Sequence, residues 1–207
     1  MEKTVFLFKR KDGWDRAGFA RHYIGNHAPL GKKLTRTLQG YAVNLVTSDS
    51  WIDSVTEHYV ETAMHLVTTT ISYATPEDFQ QVLEDDRSFL HDDKPLYVVV
   101  SEVERVGGEP LDSPLGEKTP EAKAIWLYSD ADAVPPPPLG ARRVLDSTVG
   151  YRLEHNGTEY ERRPSDIAVI RSAWARDLSQ LGDTSDALVV DEYRMIPTPQ
   201  WPAEVVG

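Results

Sequence analysis

Residues 1–106 alternate two kinds of apolar periodicity, and the order in which they come is what most limits the fold. Val5-Phe6-Leu7-Phe8 is a short continuous apolar run that suits a buried strand, and Gly13 ends it. Asp15 can then cap a helix in which Phe19, Tyr23, Leu30 and Leu34 fall within an arc of about 60° at 100° per residue. Gly40 closes that element, and Tyr41–Val46 reads as a second strand. Residues 47–61 read as a long loop with an exposed aromatic, Trp51. Met64–Tyr73, rich in Val, Thr and Ile, predicts a third strand. Thr75-Pro76-Glu77-Asp78 combines a cap, a proline at the first helical position and acids in the first turn, so a helix runs on through Phe79, Val82 and Leu83 to Phe89. Leu96–Val103 predicts the fourth strand. The succession β-α-β-β-α-β is the split arrangement of a ferredoxin-like unit.

Beyond it, Gly107–Thr119 is rich in Gly, Pro and acids and reads as a linker. The pattern then partly repeats, with strands expected at Ala124–Tyr128, Val149–Glu154, Ile167–Trp174 and Ala187–Met195 and a short helix near Ala175–Leu181. The first helix of this half is eroded: Pro135–Pro138 occupy its start and only Leu139–Leu145 remain. The expected organisation is a first unit at 1–106, a linker at 107–120, a degenerate second unit at 121–196 and a Pro-rich tail at 197–207, packed by Trp201. The expected fold class is α+β. Two ferredoxin-like units are fused in one chain, their four-stranded antiparallel sheets pairing into a barrel-like pseudo-dimer.

Composition narrows the function. The 207 residues contain no cysteine, which removes disulfides, thiolate catalysis and Cys-based zinc sites together and fits a cytoplasmic protein. No run of 18 apolar residues is present, so no membrane partner is expected. Asn156-Gly157-Thr158 reads as a turn. The net charge of −11 argues against nucleic acid. Residues 1–44 nevertheless carry nine Lys and Arg against three Asp and Glu. That excess either draws in an anionic or phenolate-like substrate or forms a solvated helix face. No phosphate loop, nucleophile elbow or dinucleotide fingerprint occurs.

Two histidines stand inside the first helix, and imidazole titrates closest to neutral pH. On a regular helix His22 and His27 lie about 140° apart at 100° per residue, so they do not form an i, i+4 metal pair. Pro29 cannot donate to the carbonyl of Gly25 and should push Ala28 from helical angles, so a kink is expected beside His27. His27 then either points into an apolar cleft as a general acid or base, or caps the carbonyls of the helix break. His58, His65, His91 and His155 are scattered, with His65 the best second pocket candidate on its predicted strand. Asp85-Asp86 and Asp92-Asp93 read as solvated helix-end acids.

Phe6-Leu7-Phe8-Lys9-Arg10, Phe19-x-x-His22-Tyr23-x-x-x-His27-Ala28-Pro29-Leu30 and Gly40-Tyr41-x-x-Asn44 together resemble the EthD family of dimeric α+β barrel proteins. The likeness is close over residues 4–46 and looser through residue 104. It implies a pocket between sheet and helices, with His27 as the characteristic histidine and Tyr41 and Asn44 as polar positions on the adjacent strand. The second half lacks a His-Ala-Pro-Leu counterpart, so it implies one such site per chain, with a homodimer still open.

The expected function is a cofactor-independent enzyme on a small hydrophobic, oxygenated substrate: a phenol, a polyketide ring or a xenobiotic. Its chemistry would be of dehydratase, cyclase, decarboxylase or oxygenase type. His27, with His22 beside it, would move the proton. Tyr23, Tyr41, Asn44 and His65 would hold the substrate. No cofactor or metal is required. The alternatives are a non-catalytic ligand-binding or accessory protein of a degradation pathway, and third a haem or metal-binding barrel.

Overall fold

Every strand pairing among the described residues is antiparallel, and the pairings form one continuous sheet. The computed structural model describes residues 1–64, 73–92, 95–156 and 160–197. Its strands are β1 (Glu2–Phe8), β2 (Leu38–Val46), β3 (Ser54–Val60), β4 (Leu96–Val106), β5 (Ala122–Tyr128), β6 (Arg143–His155), β7 (Tyr160–Arg163), β8 (Val169–Ala175) and β9 (Leu188–Ile196). Between β1 and β2, helices α1 (Arg16–His22) and α2 (Ala28–Leu34) are joined by a π turn at Tyr23–His27; α3 (Pro76–Phe89) precedes β4. The spatial order is β4-β1-β3-β2-β9-β5-β8-β6-β7, and β4 also pairs with β6. Eight strands therefore close into a ring, with β7 appended along β6.

This corrects the expected fold class. Among the described residues there are not two ferredoxin-like units with separate four-stranded sheets but a single nine-stranded antiparallel sheet, and the described α-helices all lie in the first half. The second half could not build its helices for local reasons. Pro135–Pro138 offer no N–H to a first helical turn. Arg143 and the residues after it, among them Val144 and Leu145, enter β6 instead of a helix. The helix expected near Ala175–Leu181 is only a 3-10 turn at Leu178–Leu181, closed by Asp177 and Gln180. Residues 54–60 are β3 rather than loop, while Trp51 is exposed as expected. The strand expected at Met64–Tyr73 lies mostly outside the described residues, as does the tail beyond Pro197.

The helices start where their caps stand. Asp15 accepts from Gly18 N at 2.5 Å, and Thr75 and Asp78 satisfy one another's backbone N–H at 3.1 and 3.2 Å. Side-chain alternation then sorts each strand between two environments. Val5, Leu7, Val55, Val99, Ile125 and Ile170 fill the lumen of the ring. Phe8, Val43 and Leu45 face outward beneath the helices, against Phe19, Tyr23 and Phe89. Each fully buried side chain of this size contributes about 1.5–3 kcal/mol.

One end of the lumen is charged. Lys123 is fully buried with Nζ 2.9 Å from Glu192 and 3.4 Å from Glu57. Lys3 lies 2.7 Å from Glu102, 3.3 Å from Glu57 and 3.4 Å from Ser147 Oγ. Burial opposes the charge on Glu57, but Lys123 and Lys3 outweigh it and hold its carboxyl down at about 2. Glu57 is therefore an anion at neutral pH, and the pairs around it form a fixed electrostatic floor.

Candidate functional site

Pro29 shapes the site. Having no N–H, it breaks the regular helical ladder, and the chain responds by widening one turn. Ala28 N–H bonds to Tyr23 O, five residues back, and Ala28 keeps helical angles of φ −64° and ψ −42°. The expected displacement of Ala28 is therefore absent. In a π turn residues five apart come nearly into line, so His22 and His27 share a side instead of diverging.

They meet α3. Val82, Asp85, Asp86 and Phe89 lie three or four residues apart and share one face of that helix, with Val82 and Phe89 buried. His22 Nε2 is 3.0 Å from Asp85 Oδ1, and His27 Nδ1 is 2.8 Å from Asp85 Oδ2. His27 Nε2 is 3.4 Å from Asp86 Oδ1. Asn26 Nδ2 lies 3.1 Å from His22 Nδ1, a contact that leaves the Nε2–H of His22 to donate to Asp85. The His27 hydrogen bond is the main cause that holds the Asp85 carboxyl below its usual range, against partial burial. Phe89 packs at 4.7 Å from the His22 ring and 5.0 Å from the His27 ring, and Tyr23 stands edge-on to His27 at 5.2 Å. This corrects the reading of Asp85-Asp86 as solvated acids.

Beneath the helix, Tyr23 Oη is 2.5 Å from Thr56 Oγ1 on β3, with Tyr41 close by on β2. Burial pushes both phenols well above their ordinary range, so each remains a hydrogen-bond donor at neutral pH. His58 stands opposite Tyr41 across the β2–β3 ladder, its ring edge-on to Tyr41 at 4.6 Å and to Phe6 at 5.3 Å. Both ring nitrogens of His58 are shielded from solvent and have no hydrogen-bond partner among the described residues. Burial first, and then the charge of His27, push its pKa down to about 3. It is a neutral imidazole at physiological pH.

Of the residues expected at the site, His22, His27, Tyr23 and Tyr41 come together. Asn44 does not: three residues from Tyr41, it faces the lumen, where Nδ2 donates to Val55 O at 2.9 Å and to Glu57 at 3.4 Å. His65 lies outside the described residues. Sequence reasoning passed over Asp85, Asp86 and His58. The helical spacing of Asp85 to buried Phe89 was the available signal for the first two; His58, on a strand read as loop, had none.

Among the described residues no group of three or more His, Asp or Glu side chains is arranged to hold a metal ion. No helix among them is long and apolar enough to cross a membrane. Comparison of the chain with models of known protein families and with curated protein sequences finds no match.

Proposed function

We propose that this chain is an EthD-like, cofactor-independent enzyme that moves a proton on a small hydrophobic, oxygenated molecule such as a phenol or an enolisable ring ketone. The observation that carries the reading is the pair of His58 nitrogens, without a partner among the described residues, beside Tyr41 and close to His27. Leaving a buried polar group unpaired costs about 1–3 kcal/mol, and such a group stands out as a place where a ligand supplies the missing bond. Asp85 fixes His27 through Nδ1, so the proton moves at Nε2, which faces the Asp86 carboxylate at 3.4 Å. Tyr23 and Tyr41 are neutral donors for a carbonyl or phenolate oxygen, and His58 accepts from a substrate hydroxyl. The motif around His27 and Pro29 supports the same reading from the sequence, and the cysteine-free chain suits a cytoplasmic setting.

The test is exchange of the α-protons of 2-tetralone in D2O, followed by NMR. The protein is expected to accelerate exchange, and His27→Ala to lower that rate by about two to four orders of magnitude with the fold retained. Equal exchange in both proteins overturns the reading. A second reading, a ligand-binding protein without catalysis, is favoured by two cavities among the described residues, neither of which is lined by His27. Thermal stabilisation by 2-naphthol without any exchange would select it.

A further inference from the structure

The charged end of the lumen opens into a cavity of about 760 Å³ at the mouth of the ring. This volume is in the range that holds a small molecule, and barrel mouths are a recurrent place for such sites. It lies on the opposite face of the sheet from His27, because Glu57 and Tyr59 point into it while Thr56 and His58 point under the helix.

The mouth is built rather than loose. Residues 107–120 run across one side of it and are tied down by the backbone bonds of Gly116 N to Arg194 O and Thr119 N to Glu192 O, both at 2.8–2.9 Å. Arg194 Nη1 donates to Leu111 O at 3.1 Å, and Arg142 Nη1 donates to Glu121 at 2.8 Å. Gly108 passes so close to β6 that a Cβ there would stand 2.2 Å from the Arg142 carbonyl oxygen, so this crossing requires glycine.

Charge in the cavity falls into two tiers. On the floor, Glu57, Glu102 and Glu192 are each matched by a buried lysine, and the three acceptors around Lys3 use its three donors. Around the rim, Glu104, Glu109 and Asp112 line the cavity with no ion pair among the described residues. Against these three acids, the one rim cation without an ion pair among the described residues is Arg143, which rests over the Trp174 ring at 5.1 Å. Lys123 lies over Trp174 at 4.4 Å and Lys3 over Tyr59 at 5.5 Å, so the aromatic walls already hold cations in place. The chain's net charge of −11 adds to the same sign.

We propose that the barrel mouth is a second binding site, separate from the His27 cluster, that takes a small organic ammonium ion on an aromatic or aliphatic body. The ammonium group lies among Glu104, Glu109 and Asp112, and the body lies against Tyr59 and Trp174. The floor contributes a fixed polar base in which Lys3 and Lys123 are each held by two carboxylates, so the free charge facing the cavity from the rim is acidic.

The experiment is titration of the full-length chain with phenethylammonium, 2-phenylethanol and phenylacetate, read by calorimetry and by the Trp174 indole resonance, assigned with Trp174→Phe. Phenethylammonium is expected to bind at least about tenfold more tightly than either uncharged or anionic analogue, and to weaken as salt rises. The Glu104→Gln/Glu109→Gln double variant changes exposed or half-exposed rim positions and is expected to lose about tenfold in affinity at unchanged melting temperature. His27→Ala is expected to bind phenethylammonium as the parent does, so the outcome is separable from the acid–base reading. Equal binding of 2-phenylethanol, tighter binding of phenylacetate, or no binding of any of the three at 20 mM overturns the proposal.

Discussion

His22 and His27, five residues apart in the chain, meet at one carboxylate, with their rings 3.0 and 2.8 Å from the two oxygens of Asp85. A regular helix would turn them apart. The wider turn between them makes the five-residue spacing behave like a four-residue one.

Deleting Gly25, an exposed position within that turn, is expected to close the helix as ordinary α-helix with the two histidines still neighbours. The Pro29 ring then meets the carbonyl four residues back, at a cost of about 3 kcal/mol. Urea denaturation should therefore show a loss of that size for the deletion, and recovery of most of it when Pro29→Ala is added. A deletion that Pro29→Ala does not rescue means that Pro29 is not what sets the turn.

His58→Phe replaces an unpaired buried imidazole by a ring of similar shape, and is expected to raise stability at pH 7 by about 1–3 kcal/mol. The gain grows in acid. The folded pKa of His58 is depressed to about 3, so only the unfolded chain takes up its proton as pH falls below 6.5. The parent thus has this stability above pH 6.5 and loses it between 6.5 and 3, whereas the variant does not. Melting temperatures from pH 4 to 8 test it, and a variant less stable at every pH shows that His58 has a partner in solution.

Glu57 produces a second, more acid dependence. Its folded carboxyl is held at about 2 against an ordinary 4.5, so the stability it confers is complete above 4.5 and is lost as pH falls toward 2. The shift corresponds to about 3 kcal/mol. Glu57→Gln is expected to cost about 3–5 kcal/mol at pH 7, because it leaves Lys123 and Lys3 short of a buried partner, and to flatten the acid limb. Denaturation at pH 7 and pH 3 separates the two effects; parallel losses at both values refute the linkage.

The sequence was most readable where one periodicity acted alone. β1, the capped starts of α1 and α3, and the β4 and β5 segments all follow from local pattern. β3 was hidden because both of its faces are buried for polar reasons: Thr56 bonds Tyr23, Glu57 joins the ion network, and only Val55, Tyr59 and Val60 carry the usual apolar signal. His27 was legible from its motif, but its partner Asp85 looked like a surface acid because nothing in α3 alone says what packs on it. The Asn44 position is a different case. Its odd spacing from Tyr41 on one strand already places the two on opposite faces.

The pairing of β2 with β9 has a consequence for synthesis. Val43 lies against Tyr193 and Leu45 against Asp191, so β2 must wait for partners made about 150 residues later, roughly 10–30 s at ribosomal speeds. Throughout that interval one edge of a strand holding Tyr41, Ala42, Val43, Leu45 and Val46 has no partner from its own chain. Such an edge is a template for any other extended peptide. The nascent chain, rather than the finished ring, is therefore the form of this protein most exposed to misassembly, and the stage at which a chaperone would matter.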